Sequence, residues 1–332
     1  MGTKFSLIVN CFNRRDYVMD ALKSACEQTL PRSEYEIILI KNFHDEKIDN
    51  FTEHNSINNI YTDKITTGSW FEIAANNCKG DFVSFLDDDD LFRPDKLSII
   101  KSIIQFDSRI AYIHNKSTRT DSNLKLTEFD RNKIVNITPY DRSSFRLALK
   151  NKYYFNLSSI TIRSDLLKDL ISFIRNTNHG TDFVIFSAAY ISRRKMVQYE
   201  DDLTYYRVHL NSQGNYKAKS IEDFENLKRP ILFSFINNWQ LISEFGDVGA
   251  LGEYAKLRLL TTKIWLNLIS PNLVYKIGFT EIIDRIRRAD LYPPFMPFVA
   301  GYAMDRTFHM ATRKIYYMIL YSWLGWRLRE NI

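Results

Sequence analysis

The sequence predicts an α/β protein in which a mainly parallel sheet is covered by helices and followed by a helical appendage. Three observations carry that expectation: short β-type apolar runs alternate with helical stretches through the first third, polar segments follow the runs, and long amphipathic stretches begin after Asn215. In order, the elements are a strand Phe5–Val9, a helix from about Tyr17 to Gln28, strands Glu36–Ile40 and Phe82–Leu86, and a helix from about Pro94 to Gln105. From Ile110 to about Val208 the pattern is mixed, with strands at Ala111–His114 and Ser158–Ile162 and a helix from Thr181 to about Ser192. Helices then cover Ile221–Phe245 and Leu251–Ile269, before a segment broken by Pro293, Pro294 and Pro297. The expected division is residues 1–214 and a helical region 215–332, with no internal repeat.

A chain of 332 residues, 45% of them hydrophobic, can bury one large core or two modest ones. The net charge of +6 favours anionic partners. Its basic residues are dispersed and form no zinc-finger or RNP-like pattern, so nucleic acid is not an expected partner. Three cysteines, Cys11, Cys26 and Cys78, lack metal-ligand spacing and are odd in number, which argues against a disulfide framework. The apolar run Phe5–Val9 is too short for a signal-peptide core, and no segment approaches the ~20 apolar residues that cross a bilayer. A cytoplasmic location is the expectation.

In open α/β sheets ligands bind beyond the carboxyl ends of the strands, which places the chemistry on Asn10–Asp16, Lys41–Lys47 and Asp87–Arg93. The third loop opens with four consecutive aspartates, Asp87, Asp88, Asp89 and Asp90. Like charges so close repel unless a cation, a proton or solvent relieves them. Mn²⁺ or Mg²⁺ is the natural partner, since these ions take one or two carboxylates together with substrate phosphate oxygens. The competing reading is a solvated acidic turn that caps the following helix.

The stretch Gly80–Leu97, with its Gly-acid, apolar strand, Leu-Asp-Asp-Asp-Asp and Pro-x-x-Leu, resembles the family 2 glycosyltransferases of GT-A (Rossmann-like) fold. Phe5–Arg15, with Tyr17, Ala21-Leu22 and Gln28-Thr29, is similar to the same family's first strand and helix, and the resemblance covers about the first 210 residues. It implies a nucleotide-sugar-binding domain with a donor half of about 1–105 and an acceptor half of about 106–214. By position it implies that Asp87 holds the ribose, that Asp89 ligates the metal, and that Asp88 and Asp90 support them. Phe12 stands where an aromatic ring packs on the base, with Asn10 and Asn13 lining the same pocket; an ordinary core aromatic is the alternative. At the second strand the family's Asp-Asp pair is replaced by Lys41-Asn42, so Asn42 faces the base through an amide. Lys41 either reaches a phosphate or faces solvent.

On the acceptor side, Gly180–Ser187 occupies the place of the family's Glu-Asp pair at a helix start, making Asp182 the candidate general base, with Thr181 in place of the glutamate. Its alternative is a first-turn acid that favours the helix dipole. Tyr205–Gln213 resembles the segment that closes over the donor diphosphate: His209 ligates the metal or donates to phosphate, while Arg207 and Ser212 supply charge and a hydroxyl. The terminal stretch Arg313–Arg329 suits a helix lying on an anionic membrane surface, or one packed on protein. The expected activity is therefore an inverting, metal-dependent transfer of a sugar from a nucleotide-diphosphate donor to a glycan or glycolipid hydroxyl, inversion being implied by the family alone. An inactive nucleotide-binding scaffold and a nucleotidyltransferase are the alternatives. The sequence leaves the oligomeric state open.

Overall fold

The computed structural model describes residues 3–64, 66–120, 133–209, 221–245, 249–269, 274–286, 289–291 and 299. Ser212 and the stretch Arg313–Arg329 lie outside the described residues. The chain divides into two compact units, Met1–His209 and Leu210–Ile332.

In the first unit β1 (Phe5–Cys11) and β4 (Phe82–Asp87) are near-continuous apolar runs buried on both faces, the signature of interior parallel strands. They pair in parallel with each other, and on the other side of β1 lie β2 (Tyr35–Lys41) and the edge strand β3 (Asn58–Tyr61), also parallel. The helix α1 (Val18–Cys26) turns Val18, Ala21, Leu22 and Ala25 inward at helical spacing. Next come α2 (Glu46–His54), whose N-terminus is capped by Asp45 accepting from Ile48 N at 3.1 Å, and α3 (Thr67–Asn77). None of α2, β3 and α3 is anticipated by the sequence pattern. Only Ile48 and Thr52 of α2 are buried, β3 is largely exposed, and α3 buries small and aromatic residues together.

The expectation of a mainly parallel sheet is corrected past β4. The sheet continues through β8 (Ile160–Arg163), β6 (Ile110–Thr120) and β9 (Lys195–Arg207) to the short β5 (Leu91–Phe92), while β7 (Ile134–Ile137) pairs with β9. The strand β8 runs antiparallel to both β4 and β6, β6 and β9 are parallel, and β5 and β7 run antiparallel to β9. Alternation of strand and helix signals parallel pairing only where each helix is a crossover, and here the chain from β6 to β8 carries β7 and α5 (Arg142–Lys150). The helices α4 (Lys96–Phe106), α6 (Ser164–Asp169), α7 (Ile171–Ile174) and α8 (Thr181–Ile191) complete the unit. Apolar nearly all round, α8 is buried along most of its length.

The second unit contains α9 (Ile221–Glu244), α10 (Gly249–Ile269) and α11 (Phe279–Ile286). Leu232, Ile236, Leu266 and Ile269 form its small core. Among the described residues no helix is long and apolar enough to cross a membrane.

Candidate active site

Parallel register sets the stage, because Asn10 stands opposite both Asp87 and Ile40 at the carboxyl ends of β1, β4 and β2. Beyond β1 the chain turns through Asn13 at φ 55°, a left-handed conformation that asparagine tolerates better than most residues. There Asn13 N donates to Asn42 Oδ1 and Asn42 Nδ2 donates to Asn13 Oδ1, both at 2.9 Å. An aspartate at position 42 could make only the first of these bonds, so the departure from the family pattern comes with its own partner. Phe12 is 44% exposed and meets Trp70 edge to face at 5.5 Å, which excludes the core-aromatic reading. Asn10 Oδ1 is buried without a protein partner, a polar atom whose satisfaction must come from elsewhere.

Lys41 does neither thing expected of it. It is buried, donates to the Phe43 carbonyl at 2.7 Å and pairs with Asp49 at 2.8 Å, tying the β2 loop to α2.

The aspartates are no solvated turn either, since Asp88 and Asp90 are buried. Each is held differently. Asp87 N donates to Ser158 Oγ at 3.0 Å. The guanidinium of Arg14 bonds Asp88 and lies 2.8 Å from Asp89 Oδ2. Asp90 accepts from Asn156 Nδ2 and from the backbone N of Arg207, both at 3.0 Å. Burial, reinforced by the neighbouring aspartates, pushes the Asp87 carboxyl well above the usual carboxylate range and Asp90 to about 7. Burial carries Asp88 to about 6 even though Arg14 opposes the shift. Burial thus favours the protonated forms of these three carboxyls.

His209, just past β9, comes back to this cluster: its Nε2 is 3.0 Å from Asp89 Oδ2 and 3.4 Å from Arg14 Nη1, and its ring lies 4.8 Å from that of Tyr17. Arg207 is buried, donates from Nε to the Asp89 carbonyl at 3.0 Å, pairs with Asp20 at 3.0 Å and stacks over Tyr17 at 4.4 Å. It braces the aspartate loop against α1. Arg14, Tyr17, Asp20, Asn156 and Ser158 all contribute here; the sequence places the first three beside the first strand but gives no sign of which carboxylates they serve.

Among the described residues no closed group of three or more His, Cys, Asp or Glu side chains is gathered around one point. The donor set present is Asp89 Oδ2 with His209 Nε2 beside it. That suits an ion such as Mg²⁺ or Mn²⁺, which takes few protein ligands and keeps positions for substrate oxygens. The Arg14 guanidinium lies 2.8 Å from the same carboxylate oxygen, so an ion bound there would have to share or displace it.

Asp182 lies in the first turn of α8, after Gly180 in the left-handed conformation, and its Oδ1 accepts from Phe183 N at 2.7 Å. Burial raises its carboxyl to about 6, a value suited to a base working near neutrality.

A parallel sheet half with Asn10, Asn42 and the aspartates at its strand ends, continued by a mixed half that returns His209 to Asp89, defines a glycosyltransferase domain of the GT-A type. Residues 6–170 match the family model of glycosyl transferase family 2, and this part of the chain belongs to that family. A poly(ribitol-phosphate) β-N-acetylglucosaminyltransferase, TarS of Staphylococcus aureus (strain MW2), is 24% identical over 250 residues, 70% of this chain and 41% of TarS. The chain therefore spans about two fifths of that relative's length. A crystal structure of S. aureus TarS 1–349 in complex with UDP-GlcNAc has a TM-score of 0.54 at 16% identity, covering 90% of this chain and 91% of that one. A mannosyltransferase of Pyrobaculum calidifontis in complex with GDP-Man and Mn²⁺ also scores 0.54, at 13% identity over 93% of this chain and 88% of its own. These likenesses establish a shared fold.

Proposed function

We propose that the chain transfers a sugar, with inversion, from a nucleoside-diphosphate donor to a hydroxyl of a glycan or glycolipid acceptor. The observation that carries this reading is the meeting of Asp89 and His209, 120 residues apart in sequence, at 3.0 Å on the carboxyl edge of the sheet. Asn10, Phe12, Asn13 and Asn42 line the base end and Asp87 the ribose. Asp89 and His209 hold the divalent ion, which when bound neutralises charge on the departing diphosphate. Arg14 supplies further positive charge at the same edge, Asp88 and Asp90 hold the loop, and Arg207 braces it. Asp182, half-buried at a helix start, takes the proton from the acceptor hydroxyl. TarS, by its name, acts on poly(ribitol phosphate), which supports an anionic cell-surface polymer as one acceptor class. A nucleotidyltransferase is disfavoured by the lack of a Gly-rich basic loop after β1.

The test is calorimetric titration of UDP, GDP and their sugars with and without Mn²⁺. One nucleotide is expected to bind in a metal-dependent manner, and Asp89→Ala is expected to weaken it by about two orders of magnitude, the loss typical of a charge-assisted contact. Absence of binding by every nucleotide would overturn the transferase reading.

For the terminal stretch Arg313–Arg329 we propose contact with the anionic cytoplasmic face of a membrane. Full-length protein should sediment with phosphatidylglycerol vesicles and a version ending before Thr312 should stay in the supernatant; equal sedimentation of the two removes the proposal.

A further inference from the structure

A three-residue segment, Tyr154, Phe155 and Asn156, links the helix that carries the candidate base to the aspartate cluster. At one end Tyr154 packs edge to face on Phe183, the residue after Asp182, with ring centroids 4.9 Å apart. At the other end Asn156 donates to Asp90 at 3.0 Å. Phe155 lies between them, and its side chain is exposed where both chain neighbours are tied down. Its ring meets that of Tyr206 edge to face at 5.5 Å. Tyr206 is placed by the same device, because the next residue, Arg207, donates its backbone N to the other oxygen of Asp90. Each of the two aromatics thus precedes a residue bonded to Asp90, and the negative charge of the aspartates raises the Tyr206 hydroxyl further than burial alone does. Two cations flank the pair. Lys152 Nζ is 5.8 Å from the centre of the Phe155 ring, and Arg119 on β6 stands in register with Tyr206 on β9.

Phe155 packs on Tyr206 with part of its surface still open to solvent, so the pair offers an apolar edge that a ligand can cover at a gain in free energy. The apolar C–H faces of sugars and polyols pack on aromatic rings, while their hydroxyls remain free for reaction. From the aromatic edge, its flanking cations and its links to the helix of Asp182 and to Asp90, we infer that Phe155 and Tyr206 seat the unit of the acceptor that receives the sugar. That unit is a phosphate-bearing sugar or polyol, its carbon face on the rings and its phosphate toward Lys152 and Arg119. The inference rests on the transferase reading above and names the acceptor chemistry within it.

The test is saturation-transfer NMR on the full chain with Mg²⁺ and UDP or GDP, using glucose 1-phosphate and glycerol 3-phosphate as probes, with glucose and glycerol as controls. Saturation should reach the C–H protons of at least one phosphorylated probe and be weaker for its control. Phe155→Leu keeps an apolar side chain but removes the ring, and should weaken the probe's affinity by roughly three- to tenfold. Lys152→Gln with Arg119→Gln should erase the preference for the phosphorylated probe. Binding of neither probe, equal binding by Phe155→Leu, or no preference for phosphate overturns the inference. Nucleotide binding measured on the same samples separates the two failures: if it is intact, this inference falls alone, and if it is absent, the transferase reading falls with it.

Discussion

Asp182→Asn is expected to lower kcat by about 10²- to 10⁴-fold, the range for loss of a general base. Binding of the nucleoside diphosphate should be unchanged, because Asp182 lies at the start of α8 and the nucleotide end of the site is built from β1, β2 and β4. The amide can still accept from Phe183 N, so the helix start survives the change. Titration gives a second check. The base works only when ionised, and burial sets its carboxyl at about 6. In wild type kcat/KM should therefore fall with a slope near one log unit per pH unit as the pH drops below that value.

The same shift has a stability consequence of definite sign. A folded-state value above the unfolded one means that Asp182 favours folding most at pH below the ordinary carboxylate range, and that this contribution disappears as the pH rises through about 6. The uncharged variant escapes that loss. Its Tm relative to that of wild type should therefore be higher at pH 8 than at pH 4. A variant that retains full turnover would return Asp182 to the role of a helix-dipole acid.

The donor side of this site is legible in the sequence because its groups are local. Four aspartates follow one apolar strand directly, so their convergence needs no knowledge of the fold. What surrounds them is not local: Arg14 reaches Asp88 across 74 residues, Asn156 reaches Asp90 across 66, and Arg207 reaches Asp20 across 187. No periodicity encodes such pairings. The same limit explains the sheet. Apolar runs announce β1, β2 and β4, but the antiparallel entry of β8 between β4 and β6 depends on the path of the connection. Edge strand β3 escapes notice because a strand at a sheet edge need not be apolar. The partner of Lys41 is hidden for a related reason: a lysine at a strand end suggests a phosphate contact or solvent, and nothing local shows that α2 brings Asp49 over it.

Gly80→Ala should damage the donor half by backbone overlap between two central strands. Gly80 precedes β4 where its backbone crosses that of β1, and a Cβ there would lie 2.5 Å from both Phe5 C and Ser6 N. Those are backbone atoms of a central strand buried on both sides, so no side-chain rotation relieves the clash. Retreat of Gly80 would also break the bond from its N to Ser6 Oγ at 2.9 Å and the bond that Ser164 Oγ donates to its carbonyl. Overpacking of this kind costs about 1–3 kcal/mol and more where the neighbours cannot move. The upper end is expected here, a fall in Tm on the order of 6–12 °C for a unit of this size. Calorimetry of the full chain measures it, and Ser164→Ala supplies the scale, since it removes one hydrogen bond worth about 1 kcal/mol without adding volume. A Gly80→Ala protein as stable as the Ser164→Ala one would mean that β1 and β4 can part at this end. The register of Asn10 with Asp87, seven residues along β4 from the glycine, would then have to be held by the site itself.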